Sequence, residues 1–332
     1  MLDQLVSTLG NFSTPLGWAA ISLFLLGTIA EWYDRDRARP VMVVAWGLFG
    51  LFWFTLIPHF IIDKKSFVEG IGSIVAVPLS LYVAVLLWRG RDSLFTFSRA
   101  VAVMGLVYVP FVTVPVLRQT LIEMVTDQTA VLINLVGFDP GIATGMETVG
   151  PDGTVYSITG KTYPYESTFV FDATSVPWIE QSIVTYTIAI ACTGIGSMAI
   201  FVGLIAAVRA PMDRKLRAFA VSIPVIYVLN LVRNVFIGVT FGKQMTNVFP
   251  DVVMGLFSLE EQWQVSYIVS DRILAQSMSV VALVVITWLV VRELPEVLTV
   301  IEDLVYVLTG KEYDLQDALG IDHPDGESSQ PS

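Results

Sequence analysis

The sequence predicts an all-α polytopic membrane protein, with about seven transmembrane helices carrying a small extracytoplasmic α/β cap. Three observations predict it. The 332-residue chain is 54% hydrophobic and only 15% charged, where a soluble domain carries roughly 25% charged residues. Its mean hydropathy is +0.68. Apolar runs of about twenty residues recur, the length an α-helix needs to cross a ~30 Å hydrocarbon core.

The first run, 15–32, follows a segment that holds Asp3 and no Lys or Arg. It therefore lacks the basic n-region of a cleaved signal and is expected to act as the insertion signal itself. Further spans are expected at 41–62, 70–88, 97–117, 183–208, 218–241 and 267–291. No internal repeat is visible, which weighs against inverted-repeat transporters. Arg35, Arg37 and Arg39 follow the first span, and Arg89, Arg91 and Arg99 separate the third from the fourth. Arg209, Arg214, Lys215 and Arg217 separate the fifth from the sixth. The alternate connections hold Lys64 and Lys65, then Arg118 and Lys161, then Lys243. The positive-inside bias puts the N-terminus outside and the C-terminal tail in the cytoplasm.

The connection 118–181 is too long for a simple link. Its first part, to about Leu135, reads as an amphipathic helix on the membrane surface. Pro151-Asp152-Gly153 is a turn signal between β-prone runs at 148–149 and 154–158, and a third run, 167–171, is expected to pair with them. The second outer connection, 242–266, carries Asp251, Glu260 and Glu261. The apolar stretch 297–309, broken by Glu302 and Asp303, is too short to span and is expected to be cytoplasmic or interfacial. A disordered end is expected from about Gly320. Four regions follow: helices one to four (1–117), the surface helix and hairpin cap (118–182), helices five to seven (183–292) and an acidic cytoplasmic tail (293–332).

A net charge of -11 disfavours nucleic-acid binding, and the acidic tail reads as solvation or adaptation to high salt. One cysteine rules out an intramolecular disulfide framework or a multi-cysteine metal site. His59 and His323 are far apart without ligand-like spacing, so neither a metal nor another cofactor is expected.

The informative residues are the ones that are costly in lipid. A cation in hydrocarbon costs several kcal/mol, ~2.5–3.5 on insertion scales. Arg233 lies within the sixth span, and Arg272, after Asp271, just inside the seventh. Cys192 lies in the fifth span, where Ala189, Cys192, Gly196, Ala199 and Gly203 recur at helical spacing as a small-residue face. At a 1.5 Å rise, Cys192 falls ~14 Å, Arg233 ~12 Å and Arg272 ~8 Å below the outer ends of their spans. Tyr227, Asn230, Arg233 and Asn234 share one face of the sixth span, and Arg272 and Gln276 one face of the seventh. Taken singly, each has a plain structural reading: a small core hydrophobe for the thiol, an ion pair with Asp271 or backbone for the arginines.

Together they have a chemical one. A thiolate is the nucleophile, apolar burial suppresses it and a neighbouring cation favours it. A guanidinium offers five donors to a thiolate or a tetrahedral oxyanion but does not readily act as an acid. Tyr227, the thiol proton itself, water and His59 stay open as sources of the leaving-group proton.

A cysteine in a small-residue stretch, Asn230-x-x-Arg233 on the next span and Arg272 on the one after resembles the exosortase and archaeosortase family, over most of 183–291. The exosortase branch generally has His at the third position, so Arg272 matches the archaeosortase branch. The resemblance implies a membrane cysteine transpeptidase in the cell membrane with its site in the outer leaflet. Cys192 would be the nucleophile, Arg233 the thiolate or oxyanion partner and Arg272 the third catalytic residue, with Asn230, Asn234 and Tyr227 in support. The implied substrates are secreted surface proteins, surface-layer glycoproteins among them, with a C-terminal Pro-Gly-Phe motif, a transmembrane helix and a basic cluster. A membrane lipid would accept the new C-terminus. The alternative reading is a transporter or channel in which the arginines bind an anionic solute.

Overall fold

The computed structural model describes residues 2–63, 67–158 and 163–318. Lys64, Lys65, Lys161, His323 and the tail end from Gly320 lie outside them. Helices run α1 (Leu2–Tyr33), α2 (Arg35–Pro58), α3 (Phe67–Trp88), α4 (Leu94–Thr113) and α5 (Pro115–Leu135). Five strands follow, β1 (Gly141–Ala143), β2 (Glu147–Val149), β3 (Val155–Ser157), β4 (Thr168–Asp172) and β5 (Ile183–Thr187). The chain returns to helix in α6 (Ile195–Ala207), α7 (Met212–Gly242), α8 (Pro250–Phe257), α9 (Trp263–Tyr267), α10 (Gln276–Glu293) and α11 (Leu298–Thr309). Among the described residues six helical stretches are long and apolar enough to cross a membrane, and α6 is a shorter apolar helix. The fold class matches the expectation, with six long spans and a short one in place of seven equals.

The chain forms two compact units. The first comprises Met1–Val109, Ala199–Val221 and Leu289–Ser332. The Asp34 carboxylate accepts from the N–H groups of Asp36 and Arg37 and caps α2, separating it from α1. Trp46 anchors the core: its ring meets Phe24 edge-on at 5.2 Å and stacks on Phe97 at 5.4 Å. Its indole N–H donates to Ser98 Oγ at 2.9 Å, satisfying the one polar atom the ring buries. Gly203 lets α6 approach α4, since a Cβ there would lie 2.5 Å from the Ala100 carbonyl oxygen. Arg214 grips Glu296 through both terminal guanidinium nitrogens, at 2.7 and 3.0 Å. Arg91 and Ser93 donate to Asp303 in α11.

The second unit comprises Pro110–Met198 and Ser222–Trp288. A helix does occupy the stretch from Arg118 to Leu135: it is α5, started by Pro115 at its first turn. The hairpin forms as expected, β2 against β3 with Thr148 opposite Tyr156. The run 167–171 does not join it. It becomes β4, central in a separate antiparallel sheet of order β1-β4-β5. The partner it found, β5, is the correction of most consequence. The segment 183–187 was expected to begin the fifth span, yet Ile183-Val184-Thr185-Tyr186-Thr187 is β-branched at four positions. Such side chains pack well on a pleated surface and lose rotamer freedom in a helix. Phe169 and Tyr186 stack across the sheet at 6.4 Å. The sheet rests on the end of α7, where Gly238 and Gly242 leave room for Tyr186 and Phe171.

Candidate active site

Cys192 stands on a short 3-10 turn, Ile190–Thr193, between β5 and α6. Gly194 ends the turn in the left-handed region at φ 75° and re-aims the backbone into α6. The small-residue face is therefore split: Ala189 and Cys192 precede the helix that carries Gly196, Ala199 and Gly203. The helical depth assigned to Cys192 fails with it, because a strand and a turn stand where a continuous rise was assumed.

The turn is held from α7. Asn230 and Asn234 donate their amide N–H groups to the same acceptor, the Cys192 carbonyl, at 2.7 and 2.8 Å. Asn234 is fully buried, so its donor has no water to fall back on. Tyr186 donates to Asn234 Oδ1 at 3.4 Å, and its phenol stands near the Cys192 thiol. Cys192 itself is half-buried.

Arg233 and Asp271 both act electrostatically on the thiol, with opposite signs. Arg233 Nη2 donates to Asp271 Oδ1 at 2.6 Å, and the other carboxylate oxygen lies 3.7 Å from Arg272 Nε. Tyr267 stands close to the same carboxylate. Asp271 thus joins the two arginines that spacing singled out. It sits in a π-helical segment, Ile268–Ala275, of the kind that interrupts helices at functional sites. Hydroxyls hold this segment: Thr240 donates to Ser270 Oγ at 2.9 Å, and Thr246 Oγ1 lies 2.6 Å from the same atom. The wider turn breaks the α spacing assumed for Arg272 and Gln276. Arg272 has 42% of its side chain exposed, against 25% for Arg233.

Cys192, Asn230, Asn234 and Arg233 are thus brought together, and Arg272 joins them through Asp271. Tyr227 is on the same face of α7 but donates to Gln128 Oε1 on α5 at 2.6 Å. His59 belongs to the first unit, in a π-helical turn after α2. Tyr186 is hidden in the sequence because its strand runs into the apolar stretch that leads to α6. The β-branched run around it was the available signal.

The class that fold and site define is a multi-pass membrane protein with a thiol set among guanidinium, amide and phenol donors. Residues 10–260 match the transmembrane exosortase family. The chain is 46% identical over 324 residues to archaeosortase A of Haloferax volcanii, covering 94% of this chain and 99% of that one. It is 40% identical over 301 residues to archaeosortase A of Natronomonas pharaonis, covering 90% and 89%. No solved structure matches the chain. The chain belongs to the transmembrane exosortase family and is a membrane sorting enzyme of the transpeptidase type.

Proposed function

We propose that this protein is a cysteine transpeptidase that cleaves secreted surface proteins at a C-terminal Pro-Gly-Phe-type signal and passes the new C-terminus to a membrane lipid. The observation that carries the reading is the setting of Cys192, a thiol on a turn whose carbonyl is pinned by Asn230 and Asn234, on the same helix face as Arg233. The sulfur attacks the carbonyl carbon of the scissile bond, and Arg233 with Tyr186 supplies donors to the thiolate and then to the oxyanion. The C–N bond breaks, and the amine leaves with the proton that began on the thiol. A nucleophilic group of the lipid attacks the thioester, and its proton returns to sulfur. Arg272 is the third catalytic residue in this scheme. Asp271, a positioning residue, keeps the Arg233 guanidinium turned toward the site.

In this proposal the N-terminus is outside, the tail is cytoplasmic and the thiol lies in the outer leaflet. A substrate helix arrives there laterally, and restricted water favours transfer over hydrolysis. The four regions keep the roles given above, with 118–182 as the outer cap and 183–292 as the catalytic part.

The test follows maturation of a surface protein with a Pro-Gly-Phe tail in cells carrying Cys192→Ala or Cys192→Ser. The precursor should accumulate in both, and a thioester should be trappable on Cys192 in the unmutated enzyme. Normal processing by Cys192→Ser would overturn the nucleophile assignment and favour anionic-solute transport by the arginines.

A further inference from the structure

A second cluster of cations lies in the first unit. The ends of α1 and α4, the link from α6 to α7 and the first turn of α7 surround a cavity of about 470 Å³. Arg99, Arg209 and Lys215 line it, with Thr28, Trp32 and Val103 among the other walls. The carboxylate facing the cations is Glu31, whose side chain is fully buried. Arg35, Arg99 and Arg209 each approach it only to 3.7 Å. At that distance no hydrogen bond forms, and both Glu31 oxygens and Arg99 Nε lack a hydrogen-bond partner among the described residues.

Charge does not balance here. Arg35, Arg99 and Arg209 converge on one carboxylate, and Lys215 stands beside Arg99. Glu296, which also acts on Lys215, is gripped by both terminal nitrogens of Arg214. Asp92, 3.9 Å from Arg35, is hydrogen-bonded by Arg39 at 2.9 Å. Lys215 donates to the Ala206 carbonyl at 3.1 Å and keeps further ammonium protons. Arg209 has 67% of its side chain exposed and a single long ion pair on Glu31.

The walls say what kind of anion fits. Trp32, 71% exposed at the end of α1, is the residue type that sits at headgroup level. Val103 on α4 and the alanines at the end of α6 continue the lining toward the apolar parts of their helices. An anion with hydrocarbon attached is matched on both counts. Guanidinium forks and an ammonium are the donors that suit phosphate oxygens, and basic pockets between membrane helices hold acidic headgroups.

We propose that this cavity binds the phosphate headgroup of an anionic membrane lipid, with Arg99, Arg209 and Lys215 as its ligands. On the orientation proposed above it opens to the cytoplasmic leaflet, but binding does not depend on that orientation or on the transpeptidase reading.

The full-length protein in nanodiscs provides the test, with lipid retention read by native mass spectrometry and Tm by thermal unfolding. Phosphatidylglycerol in a phosphatidylcholine disc should be retained selectively and raise Tm. Arg209→Gln with Lys215→Gln should weaken retention roughly tenfold or more, at about 1 kcal/mol per surface cation, without lowering Tm in pure phosphatidylcholine. Should that variant not fold, headgroup selectivity of the unmutated protein and its decline with added salt decide the matter. No preference for phosphatidylglycerol, or a Tm rise fully reproduced by inorganic phosphate, would overturn the lipid assignment.

Discussion

Asn230 and Asn234 converge on one carbonyl oxygen, an arrangement that fixes the backbone of Cys192, the proposed nucleophile, without touching its sulfur. Asn234→Asp removes one donor and points a buried carboxylate at that oxygen. The loss of a buried hydrogen bond alone costs about 1–3 kcal/mol, so both a lower Tm and slower precursor processing are expected. Unchanged values of both would show that the carbonyl does not need the second amide. Arg233→Lys keeps the charge and loses the planar fork that reaches Asp271. If Arg233 holds the oxyanion, processing should fall by about two orders of magnitude, the usual effect of losing one such donor. Full activity of Arg233→Lys would remove the fork from the mechanism while leaving Cys192 in place. Arg233 and Cys192 were legible in the sequence because charge and thiol stand out in an apolar run. Tyr186 was not, since a tyrosine near an apolar run carries no such contrast.

At the scale of elements, the turn at Gly194 decides where Cys192 stands. A Cβ there would lie 3.0 Å from Asn230 Cγ, and the backbone is left-handed. Gly194→Ala should cost about 1–2 kcal/mol and disturb the Asn230 contact, so Tm and processing should fall together. Wild-type Tm in this variant would mean that the turn relaxes freely. The hairpin β2–β3 makes a separate prediction about pH. The Thr154 N–H and the Tyr156 hydroxyl hold the exposed Asp152 carboxyl below its ordinary 3.8, at about 2. A depressed carboxyl stabilises the turn above pH 3.8, and that support fades as pH falls through 2. Hydrogen exchange of the Thr154 amide should therefore be steady near neutrality and lose protection only at the acid end. Loss of protection already at pH 5 would contradict this. The hairpin was readable from its Pro-Asp-Gly turn, whereas β5 was hidden by the apolar run it leads into. Hydropathy averages do not separate a buried strand from the start of a helix; only the β-branched content does.

For the whole molecule, the number and order of long apolar helices were legible because crossing a bilayer demands about twenty apolar residues whatever the tertiary contacts. The exception was α6, and its cause is local: part of its expected length went into a sheet. The orientation proposed from the basic connections is directly measurable, since the chain has a single cysteine. In a Cys192→Ala background, Thr154→Cys should react with a membrane-impermeant maleimide in intact cells, and Thr309→Cys only after lysis. The opposite pattern would reverse the topology and move the proposed lipid cavity to the outer leaflet.

A helix of 13 residues, α6, reaches only about 20 Å at 1.5 Å per residue. A bilayer some 30 Å thick is therefore either pinched beside it or met, over the remaining third, by peptide that is not helical. Unpaired amides are not tolerated against acyl chains, so this stretch has to be walled off by protein or wetted. On the proposed function, either solution would give a polar chain end a sheltered route to sulfur that an unbroken transmembrane rod would have sealed.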